Sequence, residues 1–240
     1  KADGGGCDME IGTRFSGGDI NFTVTERIAP GQYSLTAETA GTVGNEYVGT
    51  RHNMGYDFVD AVATKIGARF REDAKFFGLV TKAETEKGAV WLLKPTTYMN
   101  LSGSAVQAVR SYFKLKPEQI LVVHDELDLL PGTMKIKLGG GNAGHNGLKD
   151  ITEKLGTPNF WRLRFGIGHP RVFCPGMDVA DWVLGRPTSE HRQAIDGCMT
   201  EALKTLDNLV AGNMDRVERV VMKFAHAPKP QTVDQKETEP

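Results

Sequence analysis

Residues 120–132 read ILVVHDELDLLPG, and this stretch decides the fold class. Its first four residues are apolar, which is typical of a short strand buried inside a sheet, and the Pro-Gly pair at 131–132 indicates a turn. His124 and Asp125 follow that strand directly. Ligands of α/β sheets usually bind beyond the carboxyl ends of strands, so these two side chains are candidates for a functional site.

The segments on either side alternate between strand and helix patterns. Strand-like runs cover 89–93, 133–138 and 163–167, and helical spacing of apolar residues covers 54–66, 100–113, 147–155 and 189–224, with a break near Gly212. This alternation predicts an α/β fold. We expect a single domain with a twisted, mixed but mostly parallel sheet flanked by helices.

The two ends of the chain differ from its middle. Residues 1–38 contain glycine clusters and one alternating stretch at 20–25, and we expect them to be irregular or disordered. Residues 39–226 are predicted to form the folded domain, and 40% hydrophobic content over 240 residues is enough for a substantial core. The polar, proline-containing stretch 227–240 is predicted to be a disordered tail.

Overall charge excludes a general polyanion binder. The chain has 29 Lys and Arg against 30 Asp and Glu, a formal charge of −1, so any contact with nucleic acid requires a local patch. Such a patch is present between residues 131 and 171, and a solvated surface is the alternative interpretation. Its cations are Lys135, Lys137, Lys149, Lys154, Arg162, Arg164 and Arg171.

The 3 cysteines are widely spaced and form no CxxC or Cys/His pattern, so we expect neither a disulfide framework nor a zinc site. This usage favours a reducing, cytoplasmic compartment. No apolar run approaches the ~20 residues of a membrane helix, and the beginning of the chain lacks the apolar core of a signal peptide.

His52 is the first candidate catalytic residue. It lies in TRHN at 50–53, at a predicted loop-to-helix junction where its imidazole would face a cleft, and Asn53 is a candidate helix cap. A histidine that acts as a base works better when a carboxylate holds its other ring nitrogen. The residues alone leave Asp125, Glu126 and Asp128 all open for that role, and a surface or capping histidine remains the alternative.

Amide and basic side chains supply further candidates. Asn100 precedes a predicted helix, where it either caps the helix or grips a substrate carbonyl. His145 and Asn146 end the glycine-rich run GGGNAGHNG, which allows close approach of the backbone to a ligand. Lys135 and Lys137 alternate on one strand face, so both can reach the same phosphate. Residues 171–181 are predicted to form a flexible loop over the cleft.

Five segments in this order resemble the bacterial-type peptidyl-tRNA hydrolases, from about residue 47 to about residue 225. The segments are TRHN at 50–53, PTTYMNLSG at 95–103, HDELDLLPG at 124–132, KLGGGNAGHNGLKD at 137–150 and RLRFGIGHP at 162–170. The resemblance implies hydrolysis of the ester between peptide and tRNA, which recycles tRNA and rescues ribosomes. It also implies a cytoplasmic monomer whose partner is peptidyl-tRNA, with no obligate protein partner, no membrane association, no metal and no other cofactor.

The resemblance also assigns roles to single residues. His52 becomes the general base that activates water, and Asp125 becomes the carboxylate that holds it. Arg164 and Lys137 would clamp the terminal phosphate of tRNA, with Lys135 beside them. The remaining substrate-binding positions are Tyr47, Asn100, His145 and Asn146.

The chain departs from the family pattern before Tyr47. Residues 39–47 read TAGTVGNEY where the family has a GLGNPGxxY-type motif, so Thr42 stands in place of an active-site Asn unless Asn45 takes that role. The hydrophobic first strand of the family is also missing from its usual place. Either residues 32–36 fill that position in the sheet, or the N-terminus has an unrelated origin, and we favour the second explanation. The alternatives to hydrolysis are therefore an impaired enzyme or a non-catalytic RNA-binding member of the fold.

Overall fold

A computed structural model describes residues 33–36, 48–97, 101–142 and 145–226 of the chain, with backbone only for 33–36. The predicted strand at 20–25 and the predicted tail at 227–240 lie outside these residues. Seven strands form one sheet in the order β2-β3-β4-β1-β5-β7-β6. The strands are β1 (Tyr33–Thr36), β2 (Arg71–Asp73), β3 (Gly78–Thr85), β4 (Gly88–Pro95), β5 (Ile120–Glu126), β6 (Met134–Leu138) and β7 (Trp161–Gly166).

The sheet is mixed in equal parts, which corrects the expectation of a mostly parallel one. Strands β4, β1, β5 and β7 form three parallel pairs at the centre. The pairs β2/β3, β3/β4 and β6/β7 at the two sides are antiparallel. Only two residues separate β3 from β4, and so short a connection can join antiparallel strands but not parallel ones.

Residues 33–36 occupy the slot between β4 and β5. Leu35 is opposite Leu92 of β4 on one side and Leu121 of β5 on the other, with both neighbours parallel. Residues 33–36 therefore take the place of the family's first strand, and the explanation that we favoured, an N-terminus that leaves this position unfilled, is wrong. The prediction that residues 1–38 are irregular is wrong for these four residues, because the gap between two parallel strands offers backbone partners on both sides.

Helices cover both faces of the sheet. One face packs against α1 (Met54–Lys65) and the C-terminal helices, and the other packs against α2 (Ser102–Phe113) and α3 (Asn146–Leu155). The remaining helices are α4 (Pro170–Phe173), α5 (Val179–Leu184), α6 (Ser189–Leu203), α7 (Leu206–Ala211) and α8 (Met214–Val221). Short 3₁₀-helical turns lie at Arg51–Asn53, Ala74–Phe76, Pro117–Gln119 and Met222–Phe224. Within the described residues, no helix is both long and apolar enough to span a membrane.

Two local expectations need correction, and a third is confirmed with one addition. Asn53 occupies the N-cap position of α1, but its side chain donates to Asp57 Oδ1 at 2.6 Å instead of capping the helix. Residues 171–181 are not a continuous loop, because α4 and the start of α5 lie within them. The predicted break at Gly212 is confirmed by its left-handed φ of 73°, and a second break separates α6 from α7.

Strand β5 sends its side chains alternately to the two faces. Leu121 and Val123 belong to the core under α1, whereas Ile120 and Val122 belong to the core under α2 and α3. Since successive strand residues point to opposite faces, Asp125 continues the α1 side and His124 continues the other. The end of this one strand thus contributes to two groups of polar residues, one on each face of the sheet, and both His124 and Asp125 line one pocket.

Candidate active site

The tetrapeptide at 50–53 is buried against the helical layer on the α1 side. Thr50 is extended, and the 310 turn Arg51–Asn53 then leads directly into α1, as the sequence predicts for this junction. All four side chains are buried, and His52 is only 1% exposed. The imidazole is therefore more enclosed than predicted, because the end of α5 packs on the turn and Gly185 O accepts a hydrogen bond from Arg51 N at 3.1 Å.

His52 and Asp125 meet at the end of β5. The imidazole Nδ1 lies 3.3 Å from Asp125 Oδ2, which is within ion-pair distance and longer than an ordinary N–H···O hydrogen bond. Asp125 is itself only 5% exposed. Of the three carboxylates that the sequence left open, Asp125 is the one placed against the histidine.

This pair has the arrangement of a general base and its orienting carboxylate. A carboxylate beside Nδ1 favours the tautomer that carries its proton there, which leaves Nε2 as the atom able to accept a proton. The carboxylate also stabilises the imidazolium that forms when Nε2 is protonated. Burial strengthens this interaction, since little water competes for either group.

A cluster of cations lies on the opposite face of the sheet. Lys135 is directly opposite Arg164 in the antiparallel pair of β6 and β7, and Lys137 is opposite Arg162. Arg164 Nη1 also lies 3.4 Å from Glu126 Oε2 at the end of β5. The predicted proximity of the two lysines and Arg164 is thus present as a continuous basic face.

Arg162 differs from the other cations of this face because its side chain is fully buried. Its guanidinium donates to Gly141 O at 2.6 Å, to Gly140 O at 2.9 Å and to Asn142 Oδ1 at 3.3 Å. The group therefore holds the glycine-rich segment 139–142 in place. The sequence placed Arg162 in the basic patch but did not predict that its side chain is buried.

A pocket of about 220 Å³ opens beside these cations, with His124, Lys137 and Arg164 in its wall. Burial, reinforced by the nearby Arg162, Arg164 and Lys137, lowers the pKa of His124 to about 3, so this imidazole is neutral at physiological pH. Burial and the charges of Arg164 and Arg162 also lower the pKa of Lys137. Crowded cations of this kind are stabilised by a bound anion.

The start of α3 forms another side of the same pocket. His145 is the N-cap of the helix, and its Nδ1 accepts a hydrogen bond from Leu148 N at 3.4 Å. Its ring also contacts that of His124, with 5.1 Å between centroids. Asn146 is the first residue of the helix and is half-buried.

Two predicted substrate-binding residues, Tyr47 and Asn100, lie outside the described residues, as do Thr42 and Asn45. In the part of the chain that the structure describes, no group of three or more His, Cys, Asp and Glu side chains could hold a metal ion.

Sequence reasoning gave no role to Arg51, named His124 only as a candidate for a functional site, and left Glu126 open as a partner of His52. The apolar run predicted a strand that ends at Val123, but β5 continues to Glu126. Extending the alternation to Glu126 would have placed His124 and Glu126 on one face and Asp125 on the other. The position of Arg51 had no such signal, because its contacts are made with α5, 131 residues later in the chain.

Comparisons with known proteins agree with this arrangement. A family model described as peptidyl-tRNA hydrolase matches residues 39–231. A peptidyl-tRNA hydrolase of Neisseria meningitidis serogroup A is 51% identical over 179 residues, covering 75% of this chain and 92% of the relative. One from Leptothrix cholodnii is 47% identical over 190 residues, covering 79% and 87%. The crystal structure of peptidyl-tRNA hydrolase from Acinetobacter baumannii superimposes with a TM-score of 0.73 at 38% identity, covering 81% of this chain and 96% of that one.

Proposed function

The chain belongs to the peptidyl-tRNA hydrolase family and hydrolyses the ester that joins peptide to tRNA; we propose that His52 is the general base of this reaction. The observation that carries the proposal is the buried contact of 3.3 Å between His52 Nδ1 and Asp125 Oδ2. Nε2 takes a proton from water, and the resulting hydroxide attacks the ester carbonyl carbon. The tetrahedral intermediate then expels the ribose oxygen of tRNA, which takes the proton back from Nε2 and restores the neutral imidazole. The peptide acid loses its remaining proton to solvent and leaves as a carboxylate.

Asp125 holds the imidazole in the productive tautomer and stabilises its protonated form. Activated water suffices for this chemistry, and we propose that the enzyme uses no metal and no covalent intermediate. A neutral amide suits an oxyanion or a peptide carbonyl, and we assign that role to Asn100 and Asn146, with Tyr47 and His145 as further contacts to the substrate.

The basic face is proposed to bind the terminal phosphate of tRNA. Arg164 supplies a planar fork of donors, Lys137 supplies a point charge in the same pocket, and Lys135 lies opposite Arg164 on the neighbouring strand. Support comes from the lowered pKa of Lys137, because a phosphate would offset the repulsion among these cations. His124 contributes no charge to this interaction since it is neutral.

The cellular setting follows from the substrate. We propose that the enzyme works in the cytoplasm as a monomer and recycles tRNA from peptidyl-tRNA released by ribosomes. The other readings, an RNA-binding protein without activity and an impaired enzyme, are favoured by no contact among the described residues.

Single-turnover hydrolysis of an N-blocked aminoacyl-tRNA tests the assignment of the base. His52→Ala is expected to lower the rate by at least about a hundredfold while tRNA binding persists, because the general base is lost and the phosphate contacts remain. His226→Ala removes an exposed imidazole and serves as the matched control with the wild-type rate. Unchanged turnover in His52→Ala would exclude His52 as the base.

A further inference from the structure

Arg51 is a buried cation that the mechanism has not used. Its side chain is only 5% exposed, and burial lowers its pKa. Among the described residues it has no carboxylate within ion-pair distance. A buried charge of this kind is costly unless other groups stabilise it, so its actual contacts carry information about its role.

Its hydrogen bonds and its ring contact are made with α5 and with Gly185, the residue that follows this helix. The guanidinium carbon lies 3.6 Å from the centroid of the Trp182 ring, and Nη1 donates to Trp182 O at 3.0 Å. The backbone N–H of Arg51 donates to Gly185 O at 3.1 Å. A side chain and a main-chain group of one residue are therefore both fixed on the carboxyl end of a single short helix.

Trp182 in turn connects this helix to the loop after β7. Its indole Nε1 donates to Gly168 O at 2.8 Å, and its ring stacks on Phe173 with 5.6 Å between centroids and 9° between planes. Trp182 is only 4% exposed. The indole thus joins α4, α5 and the end of the central sheet to the turn that presents the histidine.

His52 is the next residue in that turn. Because the 3₁₀ turn is only three residues long, any shift of Arg51 also moves His52. A displacement of about 1 Å in a catalytic group can reduce a reaction rate by about a hundredfold. We propose that Arg51 and Trp182 are positioning residues that fix His52 against Asp125. The segment from Gly168 to Gly185 then belongs to the catalytic apparatus, although none of its side chains is required to touch the substrate. This inference rests on the proposed role of His52.

The test uses Arg51→Lys and Trp182→Phe in the 240-residue chain. Lysine keeps the charge but lacks the planar fork that stacks and donates at the same time, whereas phenylalanine keeps an aromatic face and loses the bond to Gly168. The single-turnover rate at saturating enzyme is expected to fall about tenfold or more in Arg51→Lys, with affinity for deacylated tRNA within about twofold of wild type. In a Trp182→Phe background, Arg51→Lys is expected to have a smaller effect, since the two residues act as one unit.

Two controls separate positioning from general loss of stability. Lys75→Ala removes another cation stacked on an aromatic ring, 4.1 Å from the Tyr112 centroid, outside both polar groups at the end of β5. Val62→Ala opens a cavity in the buried face of α1 without touching the turn. Both are expected to keep the wild-type rate per folded molecule, even where Val62→Ala lowers the melting temperature.

The outcomes distinguish this inference from the function on which it rests. A wild-type rate in Arg51→Lys and in Trp182→Phe, together with an inactive His52→Ala, would overturn the positioning role and leave the general base intact. Turnover retained in His52→Ala would instead remove the assigned base. If Arg51→Lys fails to fold, the rate and affinity of Trp182→Phe decide the question.

Discussion

The protonation of His124 is set by its surroundings. The ring is buried in the wall of the basic pocket, and Nδ1 lies 2.6 Å from the carbonyl oxygen of Asp125, which can only accept a hydrogen bond. The proton of the neutral ring is therefore on Nδ1. The lowered pKa of about 3 means that folding favours the neutral form.

This leads to a pH dependence of stability. The pKa of His124 is about 3 in the folded protein against the ordinary histidine value of 6.5, so the unfolded chain binds the extra proton between these values. Stability is thus full above about pH 6.5 and falls as the pH decreases, by at most about 1.4 kcal/mol per pH unit. Between pH 7 and pH 5, the free energy of unfolding measured in urea should fall by up to about 2 kcal/mol more in the wild type than in His124→Gln. Equal losses in both proteins would show that His124 is not held neutral.

Lys137 and Arg164 should dominate the salt dependence of tRNA binding. Each phosphate contact that is removed lowers the slope of log K against log salt by about 0.7 to 0.9, because fewer counterions are released. We expect this reduction for Lys137→Ala and for Arg164→Ala in filter-binding assays with deacylated tRNA. Arg219→Ala removes an exposed cation of α8 and should leave the slope unchanged. If both pocket variants keep the wild-type slope, the basic face is a solvated surface.

Residue identity alone predicted some of the site and missed the rest. The residues alone identified His52 and Asp125 as site candidates, because each lies at the boundary of a strongly patterned segment, and the two lie together as the family resemblance implies. The choice of Asp125 over Glu126 required either the family resemblance or the face of the strand. The burial of Arg162 could not be predicted, because the carbonyl oxygens that accept its hydrogen bonds come from a glycine-rich loop without a periodic pattern.

The contact between α2 and α3 depends on one glycine. A Cβ at Gly103 would lie 2.5 Å from Asp150 O, so the two helices can cross this closely only without a side chain there. Asp150 Oδ2 accepts a hydrogen bond from Gly103 N at 2.7 Å, which fixes the start of α2 against α3. The helix that begins at Asn146 is thereby held in position through its second turn.

Gly103→Ala is therefore expected to destabilise the protein by about 1 to 3 kcal/mol, because backbone atoms must move apart. Gly197→Ala is the matched control, since a Cβ there meets nothing within 4 Å and alanine is the better helix former. It should stabilise α6 by about 0.5 to 1 kcal/mol. Urea unfolding measures the change in the free energy of unfolding for both variants. An unchanged value in Gly103→Ala would show that the two helices can move apart without loss of stability.

The helices were predicted more reliably than the segments between them. Periodic apolar residues identified α1, α2 and α3, since each buries one face. The short helices α4 and α5 carry too few residues for a period to be visible, and Pro175-Gly176 indicated a loop. These two helices contact each other through the stacked rings of Phe173 and Trp182, a tertiary contact that the local sequence does not encode.

The central position of β1 links the whole domain. This strand pairs with both β4 and β5, so it joins the antiparallel β2–β4 side of the sheet to the side that carries His124 and Asp125. The segment is short and poorly apolar, so its own sequence has only a weak preference for a central strand. Long-range pairing with two parallel neighbours overrides that weak local preference.

Leu35→Pro tests this position. Proline cannot donate to a strand ladder, and Leu35 has neighbours on both sides, so the substitution should cost more than about 2 kcal/mol and promote aggregation. Glu72→Pro is the control, because β2 is an edge strand with one neighbour. Melting temperature and light scattering report both effects. Equal tolerance of the two substitutions would mean that residues 33–36 do not hold the sheet together.

Single-turnover hydrolysis by Asp125→Asn tests the pairing of His52 with Asp125. The amide keeps the shape of the side chain but removes the charge that holds and stabilises the imidazole of His52. We predict tRNA binding within about twofold of wild type and a rate lowered by about a hundredfold or more. A rate within about fivefold of wild type at equal binding would contradict the assignment of this buried pair as the hydrolytic centre.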